Sequence, residues 1–470
     1  MISLSVASIA EIVSGRLYHP SGQDIADIQV SGQVDTDSRE ISPGDIFVAK
    51  PGEVTDGWNF ITDAHGRGAV AIIAERESSV DVPQIIVADT VVALADLARE
   101  VVSRVRSGGG LTVIGITGSN GKTTTKNLVG SLCERIGPSV YPKASFNNEV
   151  GAPLTMLRVS EDTQFLVLEL GASGVGHIAR LTDIVALDIG VVLMVGLAHA
   201  GEFGGLERTI EAKTELVQGI VPGGIAVLNC DDPNVAGMAA VAPGRVVWFG
   251  RGRDADVRAT VVRTSLEGTD FDLSLPSGAQ RHVHFPVIGE HHVMNALAMT
   301  AVAGLLDVSD ELIVDTLETT QRAERWRMEK MGGAGVTVIN DAYNASPDSM
   351  AAALRTLAGL GDERNRRIAV LGEMSELGDY SGDEHDAIAL LVVRLNLDAL
   401  VVVGSGARRL FVSSVNEGSW AVESTFFESS DGAYDYLMTE LRDDDIVLVK
   451  SSNAAGLRFL GDKLGEAFRC

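Results

Sequence analysis

The sequence predicts an α/β protein of three domains, with a parallel central sheet organised around a phosphate-binding loop. Three observations carry this fold class. The chain has 470 residues, more than one hydrophobic core spans, and ordinary domain sizes divide it into about three. From residue 112 to 228, and again from 336 to 449, near-continuous apolar runs of strand length alternate with helical patterns. Such runs are expected where helices cover both faces of a parallel sheet. Finally, Gly118-Ser119-Asn120-Gly121-Lys122-Thr123-Thr124 falls between one such strand and one such helix.

Residues 1–108 form a small α/β N-terminal domain, mixing a short opening helix with β-like runs at Ile46–Ala49 and Ala69–Ala74. A helical pattern from Val91 to Arg106 runs into Ser107-Gly108-Gly109-Gly110, which reads as a linker. Residues 109–320 make the central domain. Its strands are expected at Thr112–Thr117, Phe165–Leu170, Ile189–Val195 and Ile225–Leu228. Its helices are expected from Lys122, near Gly176–Leu181 and over Leu206–Ile220. Residues 256–286 alternate as antiparallel strands do, and a helix follows at His292–Leu306. Residues 321–470 form a Rossmann-like α/β domain, with strands at Val336–Ile339, Arg367–Leu371, Ala399–Val403 and Asp445–Val449 and a helix at Ser346–Leu357.

A hydrophobic content of 45% with 22% charged residues is that of a globular chain. The net charge of −26 argues against non-specific binding to nucleic acid or an anionic membrane, which needs a positive surface. Cys133, Cys230 and Cys470 are odd in number and far apart, so neither a disulfide framework nor a zinc site follows. The N-terminus lacks a basic segment and soon meets Glu11, unlike a signal peptide. The apolar stretch Val185–Ala198 is too short to span a bilayer and is interrupted by Asp188. A cytoplasmic location without stable membrane insertion is expected, and a monomer.

Strand, glycine turn, Lys-Thr and helix is the order phosphate binding requires. Glycines let backbone N–H groups face the phosphates and the helix N-terminus adds partial positive charge. Lys122 reaches the β/γ oxygens, and Thr123 is suited to Mg²⁺. Ile116 stands where the strict pattern has glycine, giving Gly115-x-x-Gly118-x-x-Gly121-Lys122-Thr123. A chance glycine turn would not explain the preceding apolar strand and the Thr123-Thr124-Thr125 run.

Downstream, Glu169 ends an apolar strand and His199 follows another, at the strand ends where open parallel sheets place ligands. Position alone leaves Glu169 as a magnesium ligand or a solvated strand end, and His199 as a ligand or a structural histidine. Lys213 sits in Ile210-Glu211-Ala212-Lys213-Thr214-Glu215, where a solvated lysine is the default. Asn229-Cys230-Asp231-Asp232-Pro233 is a polar loop after a strand, and a turn would account for it.

With these residues placed, the chain resembles the Mur ligases of peptidoglycan precursor synthesis over essentially its full length. The resemblance is carried by Thr117–Thr123, Leu168-Glu169-Leu170-Gly171-Ala172, Ala198-His199, Ala212-Lys213 and Asn229–Pro233. It continues through Gly289–Ala298, Arg327-Met328-Glu329 and Asn340-Asp341-Ala342-Tyr343-Asn344. Within the family, Lys143–Thr155, Asp341–Met350 and Leu371–Gly378 are similar to the branch that joins D-alanyl-D-alanine to UDP-N-acetylmuramoyl-tripeptide. The branch that adds diaminopimelate or lysine carries an Asp-Asn-Pro-Arg motif, absent here. Folylpolyglutamate synthases lack the first domain, whose Asp35-Thr36-Asp37-Ser38-Arg39 resembles the UDP-contacting motif.

The resemblance implies ATP and Mg²⁺ as cofactors, and amide formation through an acyl phosphate. It implies that the phosphate loop (Gly118, Ser119, Asn120, Gly121, Lys122, Thr123, Thr124) holds the phosphates. Thr123 and Glu169 would share one Mg²⁺ and His199 would serve a second. Lys213 would be the lysine that several members carbamylate. Asn295 would meet the adenine, Asp341 the ribose, and Arg327, or its neighbour Arg325, the γ-phosphate. Ser38 and Arg39 would contact the UDP moiety, with Phe146, Asn147 and Asn148 along the peptide channel. Three positions depart from the family pattern: Met194 and Ser145 each replace a usual Asn, and Asn453 stands where an Arg is expected.

Overall fold

The computed structural model describes residues 1–52, 55–142, 144–197, 204–320, 325–333, 335–417 and 423–469. Three principal sheets succeed one another along the chain, each covered by helices. The first has five strands: β2 (Arg16–Tyr18), β4 (Val34–Asp35), β5 (Ile46–Ala49), β6 (Ala71–Ala74) and β7 (Gln84–Ile86). They lie in the order β2-β7-β6-β5-β4 and are parallel except for β2. A separate pair, β1 (Leu4–Ser5) and β3 (Gln29–Val30), is antiparallel.

The central sheet is built from β8 (Thr112–Thr117), β9 (Ser139–Val140), β10 (Phe165–Glu169), β11 (Leu187–Val192), β12 (Ile220–Asn229), β13 (Val246–Gly250), β14 (Val257–Thr264), β15 (Thr269–Ser274) and β16 (Gln280–Phe285). Their order is β16-β15-β14-β13-β12-β11-β8-β10-β9. The pairs from β9 to β14 are parallel, and β14 to β16 form the expected antiparallel meander. After β10 the chain passes over β8 to place β11 on its other side. That reversal makes β8 the switch point, where open α/β sheets bind ligands. The third sheet comprises β17 (Glu329–Gly332), β18 (Thr337–Asn340), β19 (Arg367–Leu371), β20 (Ala399–Val403), β21 (Ser424–Phe427) and β22 (Ile446–Lys450). Its order is β17-β18-β22-β19-β20-β21, with only β17 antiparallel.

The first two sheets are not joined by a loose linker. Helix Thr90–Ser107 buries Leu94, Leu97, Val101 and Val105 in one core that also takes in Leu154, Met156, Ile178 and Leu181 of the central region. Arg106 pairs with Asp188 at 2.5 Å, and the same carboxylate accepts from Val113 N at 2.7 Å. The glycines after the helix therefore make a turn held on both sides. Among the described residues no helix is long and apolar enough to cross a membrane.

Candidate active site

The phosphate loop leaves β8 at the switch point and enters helix Lys122–Glu134. Gly121 caps this helix in the left-handed region, at φ 85°, and a Cβ there would run into the Asn295 amide oxygen. Both constraints select glycine. Ile116 is still inside the strand, buried and paired with Glu169 and Val191. A side chain is needed there for the sheet core, which explains its departure from the strict pattern. Ser119 is fixed by Gly196, whose N–H donates to its hydroxyl at 2.9 Å. The Asn229–Pro233 motif braces the same region. Asn229 donates to Leu193 O at 2.8 Å, and Asp232 accepts from Val195 N at 2.7 Å.

Lys122 folds back over the loop and donates to Gly118 O at 2.7 Å. Burial lowers the pKa of its ammonium; Glu169 works against this and Arg327 adds to it. Glu169 is 1% exposed. One of its oxygens accepts from Asn147 Nδ2 at 2.8 Å, while Oε2 is buried without a hydrogen-bond partner among the described residues. Lys213 is buried too, not solvated on its helix. Burial drives its ammonium well below the ordinary lysine range, and the charge of Lys122 pushes the same way. His199 and Lys143 lie outside the described residues.

The third sheet closes the loop from the other side. Arg327 donates to the Thr123 hydroxyl at 3.2 Å and stacks 4.0 Å from the centre of the Tyr343 ring. Arg325 turns away, pairing with Asp462 at 3.0 Å with its side chain 68% exposed. The alternative between the two arginines is thus resolved as to which meets the loop. Ser346 caps helix Pro347–Gly359 and donates to Asn120 Oδ1 at 3.2 Å. Asp348, one turn on, accepts from Leu197 N at 3.1 Å. Asp341 is gripped between Met328 N at 3.0 Å and Lys450 Nζ at 2.6 Å.

Behind the loop, Asn295 accepts from the Thr125 hydroxyl at 3.2 Å and places its amide nitrogen 3.2 Å from His292 Nδ1. Burial lowers the pKa of His292 well below the usual histidine value and that of His291 to about 4. The Nδ1 atom of His291 is buried without a hydrogen-bond partner among the described residues.

A cavity of about 1260 Å³ opens between the first and central sheets. Ser38, Arg39, Lys50, Phe146, Asn148 and Arg158 line it. Ser145 also lines it, with its hydroxyl 3.1 Å from that of Thr123 and 3.4 Å from that of Tyr343. Arg39 is held by Asp37, whose carboxyl it lowers to about 2. Asn148 uses its side-chain oxygen to cap the helix Gly151–Met156, accepting from Gly151 N at 2.9 Å. Asn147 differs from its neighbours: its amide donates to Glu169, whose charge acts on Lys122.

The structure therefore assembles Lys122, Thr123, Glu169, Asn295 and Arg327 around one loop, with Asp341 bonded to Met328 N next to Arg327 and Lys213 buried in reach of the Lys122 charge. Ser145 was marked in the sequence as a departure from pattern and given no role, and Lys450 fell just beyond the expected strand Asp445–Val449. Lys450 ends the central strand of the third sheet, and that strand-end position was its one available signal. Asn453 accepts from Arg458 through its backbone oxygen at 2.7 Å, at the start of the last helix.

This arrangement defines a three-domain phosphate-loop α/β protein whose site draws on every domain. Three family models match it in order: "Mur ligase family, catalytic domain" over residues 32–105, "Mur ligase middle domain" over 116–303, and "Mur ligase, glutamate ligase domain" over 326–453. The chain belongs to the Mur ligase family. It is 42% identical to the UDP-N-acetylmuramoyl-tripeptide–D-alanyl-D-alanine ligase of Mycobacterium tuberculosis, with 99% of this chain and 98% of that protein covered. To the Escherichia coli ligase of the same name it is 30% identical, over 88% and 89% of the two chains. Its structure is similar to MurF from Acinetobacter baumannii, with a TM-score of 0.87, 32% identity and 99% of both chains covered. A MurF ligase from Thermotoga maritima in complex with ADP matches with a TM-score of 0.78 and 28% identity, over 93% and 97% of the chains.

Proposed function

We propose that this chain joins D-alanyl-D-alanine to UDP-N-acetylmuramoyl-tripeptide with ATP, releasing ADP and phosphate. One observation carries the reading beyond the family. The cavity between the first two sheets takes in both Ser38 and Ser145, whose hydroxyl lies beside that of Thr123, so a long substrate anchored near Ser38 reaches the phosphate loop with its far end. On this reading residues 1–108 hold the UDP moiety, 109–320 bind the nucleotide, and 321–470 complete the ATP site and receive the dipeptide.

A carboxylate is a poor electrophile and must be activated before an amine attacks it. The terminal carboxylate of the tripeptide attacks the γ-phosphorus and ADP leaves; the amine of the dipeptide then attacks the carbonyl of the acyl phosphate, forming the amide as phosphate leaves and the amine gives up a proton. Two anions approach each other in the first step, so cationic groups must meet their charge. Lys122, the loop N–H groups and Arg327 are set to do this. Asn295 backs the adenine and Asp341 the ribose. Ser38, Arg39, Phe146 and Asn148 orient the substrate along the cavity, and Asn147 positions Glu169. Enclosure by Arg327, Ser346 and Asp348 excludes water from the acyl phosphate.

The donor set fits Mg²⁺, a hard cation that takes one or two protein oxygens together with substrate phosphates. Glu169 Oε2 is a buried carboxylate oxygen short of a partner among the described residues, and the Thr123 hydroxyl stands at the start of the helix that follows the phosphate loop. When bound, the ion neutralises phosphate charge. His199 and a carbamylated Lys213 would serve a second ion; a lysine driven toward its neutral amine is the form that reacts with carbon dioxide.

The deciding experiment is ADP release assayed with each substrate alone and with both. Release that requires both UDP-N-acetylmuramoyl-tripeptide and D-alanyl-D-alanine is expected. Equal or faster turnover with diaminopimelate and the muramyl-dipeptide would overturn the substrate assignment.

A further inference from the structure

We infer that Asp462, on the last helix of the chain, is a positioning residue that sets both Arg327 and Asp341. Its carboxylate lies far from the phosphate loop in sequence, yet it touches the immediate neighbour of each. Trp326 donates its indole N–H to Asp462 at 2.9 and 3.0 Å. Asn340 donates its amide to the same carboxylate at 3.0 Å. Arg325 adds an ion pair at 3.0 Å. One 14%-exposed carboxylate thereby fastens the residue before Arg327 and the residue before Asp341.

The local backbone shows why a fastening is needed. Trp326 and Met328 both adopt the left-handed region, at φ 63° and 52°, although neither is glycine. Such residues are uncommon there and persist only where surrounding contacts hold them. The two reversals send Arg327 toward Thr123 while Trp326 points the other way, into Asp462, Phe459 and Arg458. Met328 N then donates to Asp341, closing a ring that runs Asp462, Trp326, Met328, Asp341, Asn340 and back to Asp462. Asn340 is fully buried, and its amide also donates to Arg458 O at 2.9 Å. A Cβ on Gly461 would strike that amide, so the helix carrying Asp462 comes as near as a glycine permits.

Without Asp462, the indole N–H and the Asn340 amide each lose a charged acceptor, which are among the stronger hydrogen bonds. The strained turn then relaxes and Arg327 no longer reaches the loop in one fixed geometry. This inference rests on the proposed contact of Arg327 and Asp341 with ATP.

The test is a double-mutant cycle in the full-length enzyme, combining Asp462→Ala with Arg327→Ala and reading kcat and the KM for each substrate. Asp462→Ala is expected to lower kcat/KM for ATP at least tenfold, with the KM for the two peptide substrates within twofold. In the Arg327→Ala background the same change should cost less than threefold, because the group it positions is gone. Trp326→Phe, which keeps the ring and removes the donor, should reproduce most of the loss. Full additivity of Asp462→Ala and Arg327→Ala would overturn the inference, as would a rise in KM shared equally by all three substrates. Should Asp462→Ala fail to fold, Trp326→Phe in the same cycle decides the matter by the same two readings. If Arg327→Ala alone leaves ATP turnover intact, the proposed role of Arg327 fails instead.

Discussion

Arg327 and Thr123 meet across the seam between the third and central sheets, the guanidinium donating to the threonine hydroxyl at 3.2 Å. The contact joins residues 204 positions apart. Arg325 spends its charge on Asp462. Arg327→Ala should therefore lower kcat by ~10²–10³-fold, as removal of a charge-stabilising donor does. Arg325→Ala should fall at least tenfold short of that effect. Steady-state ADP release measures both, and equal losses would contradict the geometry. Arg327→Lys should not restore the rate, because a point charge cannot both stack on Tyr343 and reach the hydroxyl.

Glu169 keeps one buried oxygen without a partner among the described residues, near the Lys122 ammonium. Glu169→Gln retains an acceptor for Asn147 but removes the charge. The Mg²⁺ concentration for half-maximal turnover should rise at least about tenfold, the scale on which metal sites respond to their oxygen donors and supporting groups. An unchanged magnesium titration would exclude Glu169 from the ion.

His291 carries a pH signature. Burial pushes its folded pKa from 6.5 to about 4; Asp341 pulls it up and Lys450 pushes it down. The unfolded chain takes a proton near pH 6.5 and the folded one only near pH 4, so acidification between these values favours unfolding. At 1.36 kcal/mol per unit the penalty is at most about 3 kcal/mol. Above pH 6.5 it is absent. Denaturant unfolding of wild type and His291→Asn at pH 7.5 and 4.5 should show the variant losing less stability on acidification. Parallel losses would remove His291 from the account.

Gly196 lies against Asp348, where helix Pro347–Gly359 docks on the loop after β11, and a Cβ on Gly196 would collide with the carboxylate. Gly196→Ala should push the third domain off the phosphate loop. A forced overlap of about 1–3 kcal/mol corresponds to a ~5–150-fold fall in kcat/KM for ATP. Asp348→Ala in the same chain frees the space and should recover part of the loss. No recovery would place the damage elsewhere.

The order of strands and helices was legible because the central parallel strands are buried on both faces and many of the helices carry one apolar stripe. Thr112–Thr117 and Arg367–Leu371 match their expected bounds, while β11 ends at Val192, before the expected Val195. Beyond Val192 the chain turns to the bonds of Ser119, Asn229 and Asp232, contacts no local pattern encodes. Lys122, Glu169 and Arg327 were legible as types at motif positions. The choice of Arg327 over Arg325, the turning of Asn147 onto Glu169, and the grip of Lys450 on Asp341 were not. Each is settled by partners 22 to 204 residues away, through backbone reversals that side-chain periodicity does not report. The burial of Lys213 was hidden for the same reason, since its own helix offers Glu211 and Glu215 as nearer partners. Glu215 is instead engaged with Ala179 N at 2.9 Å, at the start of a neighbouring helix.

Helix Thr90–Ser107 lies against Gly151–Met156 and His177–Ile184, elements the ribosome makes only later. Until they emerge, Leu97, Val101 and Val105 lack part of their core. At ~5–20 residues per second that interval lasts several seconds. The opening hundred residues are thus a nascent chain with an uncovered apolar stripe, and the first domain cannot mature ahead of the second. A holding chaperone would find its target in that interval, and a stop codon placed soon after Ser107 would leave a fragment prone to aggregate.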